Sequence, residues 1–190
     1  MNYDRKDELV FRKATVAELD AAIKLLKQAA VYLEKRGINQ WKIWLNPSAD
    51  KIKWVKEGFE AGEFYFAESG NGELAGMFRL MEQDELYWGK QKANARYVHS
   101  LIVTTAFKGN NIGKRIIAVI EKMVLAEGIN LLRLDCIASN RRLCAYYESL
   151  GFVKQGEKQM PHSLNYLYEK TLPKMVLADG INLLRLQNSI

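Results

Sequence analysis

Proline, cysteine and histidine are all scarce, with three, two and two residues in a chain of 190. With so little proline, and no stretch rich in proline and serine, nothing marks a linker, and the length is that of one domain with a sizeable core. Cys136 and Cys144 are too few for a disulfide framework and lack metal-ligand spacing; they fall on a predicted strand and a predicted helix and read as small core residues, so no metal is expected. No apolar run approaches the roughly 18 residues of a membrane span. The charged opening Met1–Glu8 lacks the apolar centre of a signal peptide, and the expectation is a cytoplasmic protein with no membrane partner. A long basic run is missing too. Against 22 acids, 28 lysines and arginines leave a net charge of +6, and they are interspersed with acids except in two clusters, Lys108–Arg115 and Arg141–Arg142. A polyanionic cofactor accounts for two local clusters more economically than a nucleic-acid surface does.

What is present reads as strands and helices in turn. A strand at Leu9–Arg12 is followed by Thr15 and Glu18, spaced as a capping box, and by Val16, Leu19, Ile23, Leu26, Ala30 and Leu33 at helical steps, with Gly37 placed to stop the helix. Trp41, Trp44 and Pro47 lie in the next loop, either as a cover over the edge of the core or as one wall of a pocket for an acceptor with an apolar or aromatic part. Ser48 caps a second helix with Ile52, Val55 and Phe59 facing inward. Glu63–Ser69 and Glu73–Glu82 are strands joined by the hairpin signal Gly70-Asn71-Gly72. Gln83–Ala95 is polar and irregular; its acids Asp84 and Glu85 read as part of a solvated loop or as an attraction for a cationic amine. Leu131–Cys136, Phe152–Glu157 and Asn165–Thr171 are the later strands.

Between His99 and Arg115 an apolar strand passes through a loop holding Gly109 and Gly113 into a helix with Ile112, Ile116, Ile120 and Val124 on one face. The first turn of such a helix leaves N–H groups unpaired and carries partial positive charge, and Lys108, Lys114 and Arg115 add to it, so an anion, in the first instance a pyrophosphate, is expected there. The nucleoside-triphosphate loop is excluded by spacing, since Gly109 precedes Gly113 by only four positions and Arg115 stands where a hydroxyl is needed. The dinucleotide fingerprint is excluded because its three glycines are not there. Lys108, Asn111 and Gly113 stand at the spacing Arg or Gln, two residues, Gly, one residue, Gly or Ala. Lysine keeps charge without the planar fork, and asparagine is the least costly replacement for glycine where a backbone must be left-handed. A second motif runs Asn140, then Tyr146-Tyr147, then Gly151-Phe152, on a strand, a cap, a ten-residue helix and a new strand.

Together the two motifs resemble those of the GNAT superfamily of N-acetyltransferases, over roughly residues 9 to 172. The resemblance implies an α/β (α+β) fold: a mixed, mostly antiparallel sheet of about seven strands, splayed at the central strands and flanked by four helices. It implies acetyl-CoA as co-substrate, bound by the backbone of Leu101, Ile102 and Val103, by the loop Lys108, Gly109, Asn111, Ile112, Gly113 and Lys114, and by Asn140, which also caps its helix. The acetyl group would pass directly to a primary amine of a small molecule in a ternary complex. Tyr147 matches the family tyrosine beside the cofactor sulfur and would protonate the leaving thiolate; an inward core tyrosine is the other reading. His99, two residues before Leu101, is either the base that takes the ammonium proton or a satisfied half-buried histidine. Two further classes stay open, a non-catalytic acyl-CoA-binding module of the same fold and a basic nucleic-acid-binding domain. Residues 1–172 are read as one domain. Beyond it Lys174–Leu186 duplicates Lys122–Leu134 with only Glu127 changed to Asp179, too few copies for a solenoid. The copy is expected to be helical over 174–179 and to pack Ile181–Leu186 on the sheet's edge or on a second subunit, as in a homodimer.

Overall fold

The structure, a computed structural model, describes residues 8–173; the duplicated segment 174–186 lies outside them. Seven strands form one sheet in the order β1-β2-β3-β4-β5-β7-β6: β1 (Leu9–Lys13), β2 (Phe64–Ser69), β3 (Leu74–Met81), β4 (Arg96–Val103), β5 (Leu131–Ile137), β6 (Val153–Met160) and β7 (Ser163–Thr171). Every neighbouring pair is antiparallel except β4 with β5. The described helices are α1 (Leu19–Glu34), α2 (Ala49–Glu60), α3 (Glu85–Trp88), α4 (Ile112–Ala126) and α5 (Arg141–Ser149). The mixed, mostly antiparallel sheet is the expected one, but there are five helices where four are expected. The extra one, α3, is a single turn in the segment read as irregular, nucleated by Asp84, whose carboxylate accepts the Tyr87 N–H (3.3 Å). No described helix is long and apolar enough to cross a membrane.

The sheet separates two apolar layers. On one face Leu26 and Ala30 of α1 and Val55 and Phe59 of α2 meet Phe64, Phe66, Met77 and Ile102. On the other, Ile116, Ile120 and Val124 of α4 and Cys144 and Tyr147 of α5 meet Phe78, Val98, Leu134 and Tyr168. Each fully buried side chain of this size contributes roughly 1.5–3 kcal/mol by leaving water. Cys136 and Cys144 are both buried core residues, as their positions predict. The capping box at Thr15 forms, with Glu18 accepting the Thr15 N–H (2.8 Å), although its first turn, Val16–Glu18, is a 3-10 turn ahead of α1. The hairpin β6–β7 extends past the predicted ends. β6 is an edge strand with mostly exposed side chains, so its apolar alternation fades before its backbone pairing does.

Candidate active site

Strands β4 and β5 pair only from Arg96–Leu132 to Val98–Leu134, after which they part, leaving His99 to Val103 without a strand on that side. On its other side β4 carries a bulge: Met77 faces Ile102 and Arg79 faces His99, so two residues of β4 stand opposite Phe78, and Ser100 takes φ of 52°. The extra residue breaks the period of two. His99 and Ile102 consequently lie on the α1/α2 face, while Leu101 and Val103 pack on the α4/α5 face. The gap between the strands opens into a cavity of about 1170 Å³, larger than the roughly 300–1,000 Å³ of a single small-ligand site. Leu101, Ile102, Val103, Lys108, Asn140, His99 and Tyr147 all line it.

Gly109, Asn111, Ile112, Gly113 and Lys114 do not line that cavity but form the turn at its end, where α4 begins. Asn111 caps α4 in the left-handed region (φ 56°, ψ 17°), the conformation that favours asparagine in the place of glycine. From Gly109 to Lys114 no backbone N–H finds an acceptor among the described residues, and the first to do so is Arg115, bonded to the Asn111 carbonyl (3.0 Å). Six unpaired donors at a helix N-terminus suit a polyphosphate. A Cβ on Gly113 would stand 2.8 Å from the Tyr146 hydroxyl, so glycine is what lets α5 close on this turn. Lys108 does not reach over the turn. Its ammonium sits 2.8 Å from the centre of the Tyr32 ring, with the Arg36 guanidinium 4.4 Å from the same ring, and no carboxylate pairs with either among the described residues. Burial and then the like charge of Arg36 hold Lys108 below the ordinary lysine range. Lys108 thus brings an unpaired positive charge to the cavity at the end where the unpaired N–H groups lie, a combination that suits an anion.

At the opposite end His99 stands between two carboxylates. Its Nε2 lies 3.0 Å from Asp84 Oδ2 and its Nδ1 lies 3.8 Å from Asp135 Oδ1. A carboxylate can only accept, so Nε2 carries the proton and Nδ1 is the nitrogen left open. Burial disfavours the imidazolium, as does Arg79, but the bond to Asp84 and the charges of Asp135 and Asp84 outweigh both, and His99 titrates above its ordinary value. Burial, reinforced by Asp84, lifts the Asp135 carboxyl above the usual carboxylate range, while His99 and the Asn165 amide (2.6 Å) pull it partly back. Trp54 and Tyr87 flank the imidazole, with ring centres 6.2 and 5.7 Å away. Behind them Arg79 is committed to Glu63 (Nε 2.8 Å, Nη2 2.6 Å) and to the Trp54 carbonyl (3.0 Å). Its guanidinium passes α2 at Gly58, where a Cβ would come within 2.6 Å of it.

Tyr147 is 7% exposed and lines the cavity, and its hydroxyl makes no hydrogen bond to another described residue. Burial, above all, keeps that hydroxyl protonated far above the ordinary phenol range. Asn140 caps α5, accepting the Leu143 N–H (3.2 Å), and its amide donates across the cleft to Gln40 (2.9 Å). The two readings of the tryptophan loop divide between its residues. Trp44 is buried in the core, whereas Trp41, held at φ of 65°, lines the cavity. Sequence reasoning passed over Asp135, Arg79 and Gln40. The only signal for the first two was a charge inside a mostly apolar strand, Arg79 in β3 and Asp135 beside Arg133 in β5, and such a charge does not say which face it takes.

The comparisons with known proteins agree with this geometry. The chain is 26% identical over 164 residues, 84% of its length and 88% of the relative's, to the uncharacterized N-acetyltransferase YesJ of Bacillus subtilis. Its structure matches a GNAT-family acetyltransferase of Listeria monocytogenes with a TM-score of 0.72 at 28% identity, covering 86% of this chain and 95% of that one. A NatC complex bound to Gag peptide and CoA shares the fold, with a TM-score of 0.62 at 14% identity over 87% of this chain and 99% of that one. The model of the acetyltransferase (GNAT) family runs through residues 39–152, from the tryptophan loop across the open edge of β4 to the end of the second motif, and the chain belongs to that family of acyltransferases.

Proposed function

We propose that this protein transfers an acetyl group from acetyl-CoA to the primary amine of a small molecule, in one step within a ternary complex. The observation that carries the reading is a juxtaposition along one strand: the open edge of β4 has six unpaired N–H groups beyond one end and an Asp84-bound histidine at the other. When bound, acetyl-CoA supplies the activated acyl group as a thioester. The Gly109–Lys114 backbone holds the anionic end, and the free edge of Leu101, Ile102 and Val103 orients the arm between the strands. With Nε2 tied to Asp84, His99 presents Nδ1 as the base that takes the ammonium proton, directly or through water, and Asp84 steadies the resulting imidazolium. Tyr147, kept protonated by burial, gives its proton to the departing sulfur. The cytoplasmic placement read from the sequence belongs to the same proposal.

The test is thiol release from acetyl-CoA in the presence of a panel of amines, with product masses recorded. The expected result is release that depends on an amine and yields a product heavier by one acetyl group. Tight acetyl-CoA binding without amine-dependent release would instead identify a non-catalytic acyl-CoA-binding module.

A further inference from the structure

Five large apolar side chains are exposed among the described residues: Val10, Val16, Ile43, Leu86 and Val153. Two of them, Ile43 (48% exposed) and Leu86 (57% exposed), line the cavity beside His99, one from the turn after α1 and the other from α3. Trp41 and Tyr87 stand next to them on the same two segments and line the cavity as well. Each side of the cleft thus carries an exposed apolar side chain next to an aromatic one.

The floor is the reverse. Asp84 and Asp135 bring two carboxylates to one imidazole. Arg79, whose charge is felt at His99, is hydrogen-bonded to Glu63 and the Trp54 carbonyl and to neither of the two carboxylates. With both carboxylates ionised, the cluster keeps one surplus negative charge when His99 is protonated and two when His99 is neutral. Of the two carboxylates Asp135 is the one that lines the cavity, with Asn165 behind one oxygen and the other facing His99 Nδ1 across 3.8 Å, so that one hydrogen-bonding nitrogen can touch both. Buried, uncompensated negative charge raises affinity for a cation.

We propose that the acceptor is a primary amine on an uncharged apolar group, its ammonium received by Asp135 and His99 and its carbon skeleton held between Ile43 and Leu86. This rests on the acetyl-transfer reading and narrows its substrate. An α-carboxylate would stand against Asp135 and Asp84, and a second cationic centre would meet Lys42 and Lys51, which line the same cavity; amino acids and polyamines are disfavoured for these separate reasons. The groups facing the ammonium site are Asp84 and Tyr87 from the α3 segment, Asp135 from β5, Asn165 from β7, Arg79 from β3 and Trp54 from α2.

The experiment compares kcat/KM for methylamine, butylamine, hexylamine and 2-phenylethylamine with that for glycine and spermidine, and measures hexylamine binding to the CoA-saturated protein by calorimetry. The expected result is a rise of about fourfold per methylene from methylamine to hexylamine, with glycine and spermidine at least thirtyfold below hexylamine. Asp135→Asn should raise the hexylamine KM and its calorimetric Kd at least tenfold while acetyl-CoA affinity stays within twofold. Leu86→Ser, at an exposed position that cannot threaten folding, should flatten the chain-length dependence. Indifference to chain length, preference for glycine or spermidine, or an unchanged hexylamine Kd in Asp135→Asn would each overturn the proposal. The two readings separate cleanly: acetylation without apolar preference defeats only the substrate class, whereas Asp135-dependent hexylamine binding without any acetylation supports the substrate class and defeats the reaction.

Discussion

Tyr147 is the residue whose loss separates chemistry from packing. Tyr147→Phe removes a hydroxyl that no described residue bonds, so the fold loses nothing, and kcat should fall roughly 10- to 100-fold while the acetyl-CoA Kd stays within twofold. An unchanged kcat would reduce Tyr147 to a core side chain. For His99 the check is a pH profile. Its folded pKa lies above the ordinary value of about 6.5, and a base works in its neutral form, so kcat/KM of the parent should climb with pH and level off only above that raised pKa. In His99→Ala the rate should be lower by about 100-fold near pH 7, with the deficit narrowing at high pH where more amine is already free; a constant ratio of the two rates across pH would exclude the base. The sign for stability is opposite. A raised pKa means that the stabilisation His99 draws from Asp84 and Asp135 is full below pH of about 6.5 and fades as pH rises through the folded pKa. On the proposed role of His99, activity should therefore rise over the range in which this contact loosens. Tyr147 is legible in the sequence because it sits at fixed offsets from Asn140 and Gly151, and His99 because it is one of two histidines and lies on the central strand two residues before Leu101. Asp135 and Arg79 are not, since a charge inside an apolar strand is as readily a surface residue until the neighbouring strands fix which face it takes.

Among the elements, β1, β2 and the start of α1 are joined by one cation. Arg12 on β1 bonds Glu18 at the head of α1 (2.9 and 2.7 Å) and Glu68 on β2 (3.1 Å). The Arg12 bond, opposed by burial and aided by Thr15, holds the Glu18 carboxyl at about 2. A depressed carboxyl pKa contributes stability above the unfolded value of about 4.3 and loses it as pH falls toward 2. The pair is a quarter to a third exposed, so solvent screening leaves about 1 kcal/mol of this at neutral pH. Glu18→Gln should lower Tm by roughly 2–4 °C at pH 7, and the difference should vanish near pH 2; a loss independent of pH would assign the effect to the cap alone. Elements with a long apolar repeat, such as α1 and α4, are legible in the sequence within a few residues. The single-turn α3 carries no period, and the bulge at Ser100 contains no glycine to announce it. Yet α3 brings Asp84 and Leu86 to the cleft and the bulge aims His99, so the half of the cleft around His99 is the less readable half.

For the molecule as a whole, the described fold closes where Leu172, buried, bonds its N–H to the Asn130 carbonyl (2.8 Å). We propose that everything needed for cofactor binding lies within 1–172. At a hundredfold excess over its Kd, acetyl-CoA should stabilise by about 2.7 kcal/mol, a rise of roughly 5–10 °C in Tm for a domain of this size. A chain stopped at Pro173 should show the same rise by differential scanning fluorimetry, and its loss would place part of the binding fold beyond that point. The open side of β4 has a further bearing on how the protein behaves in a tube. An unpaired strand edge in the middle of a sheet poses the hazard of one at its margin, because another chain can add to it. In the proposed binding mode the ligand arm that would fill the gap would also deny it to a neighbour. Purification and storage with coenzyme A should keep the preparation clear and monodisperse, and short extended peptides that present a free backbone should compete with the ligand for the same groove.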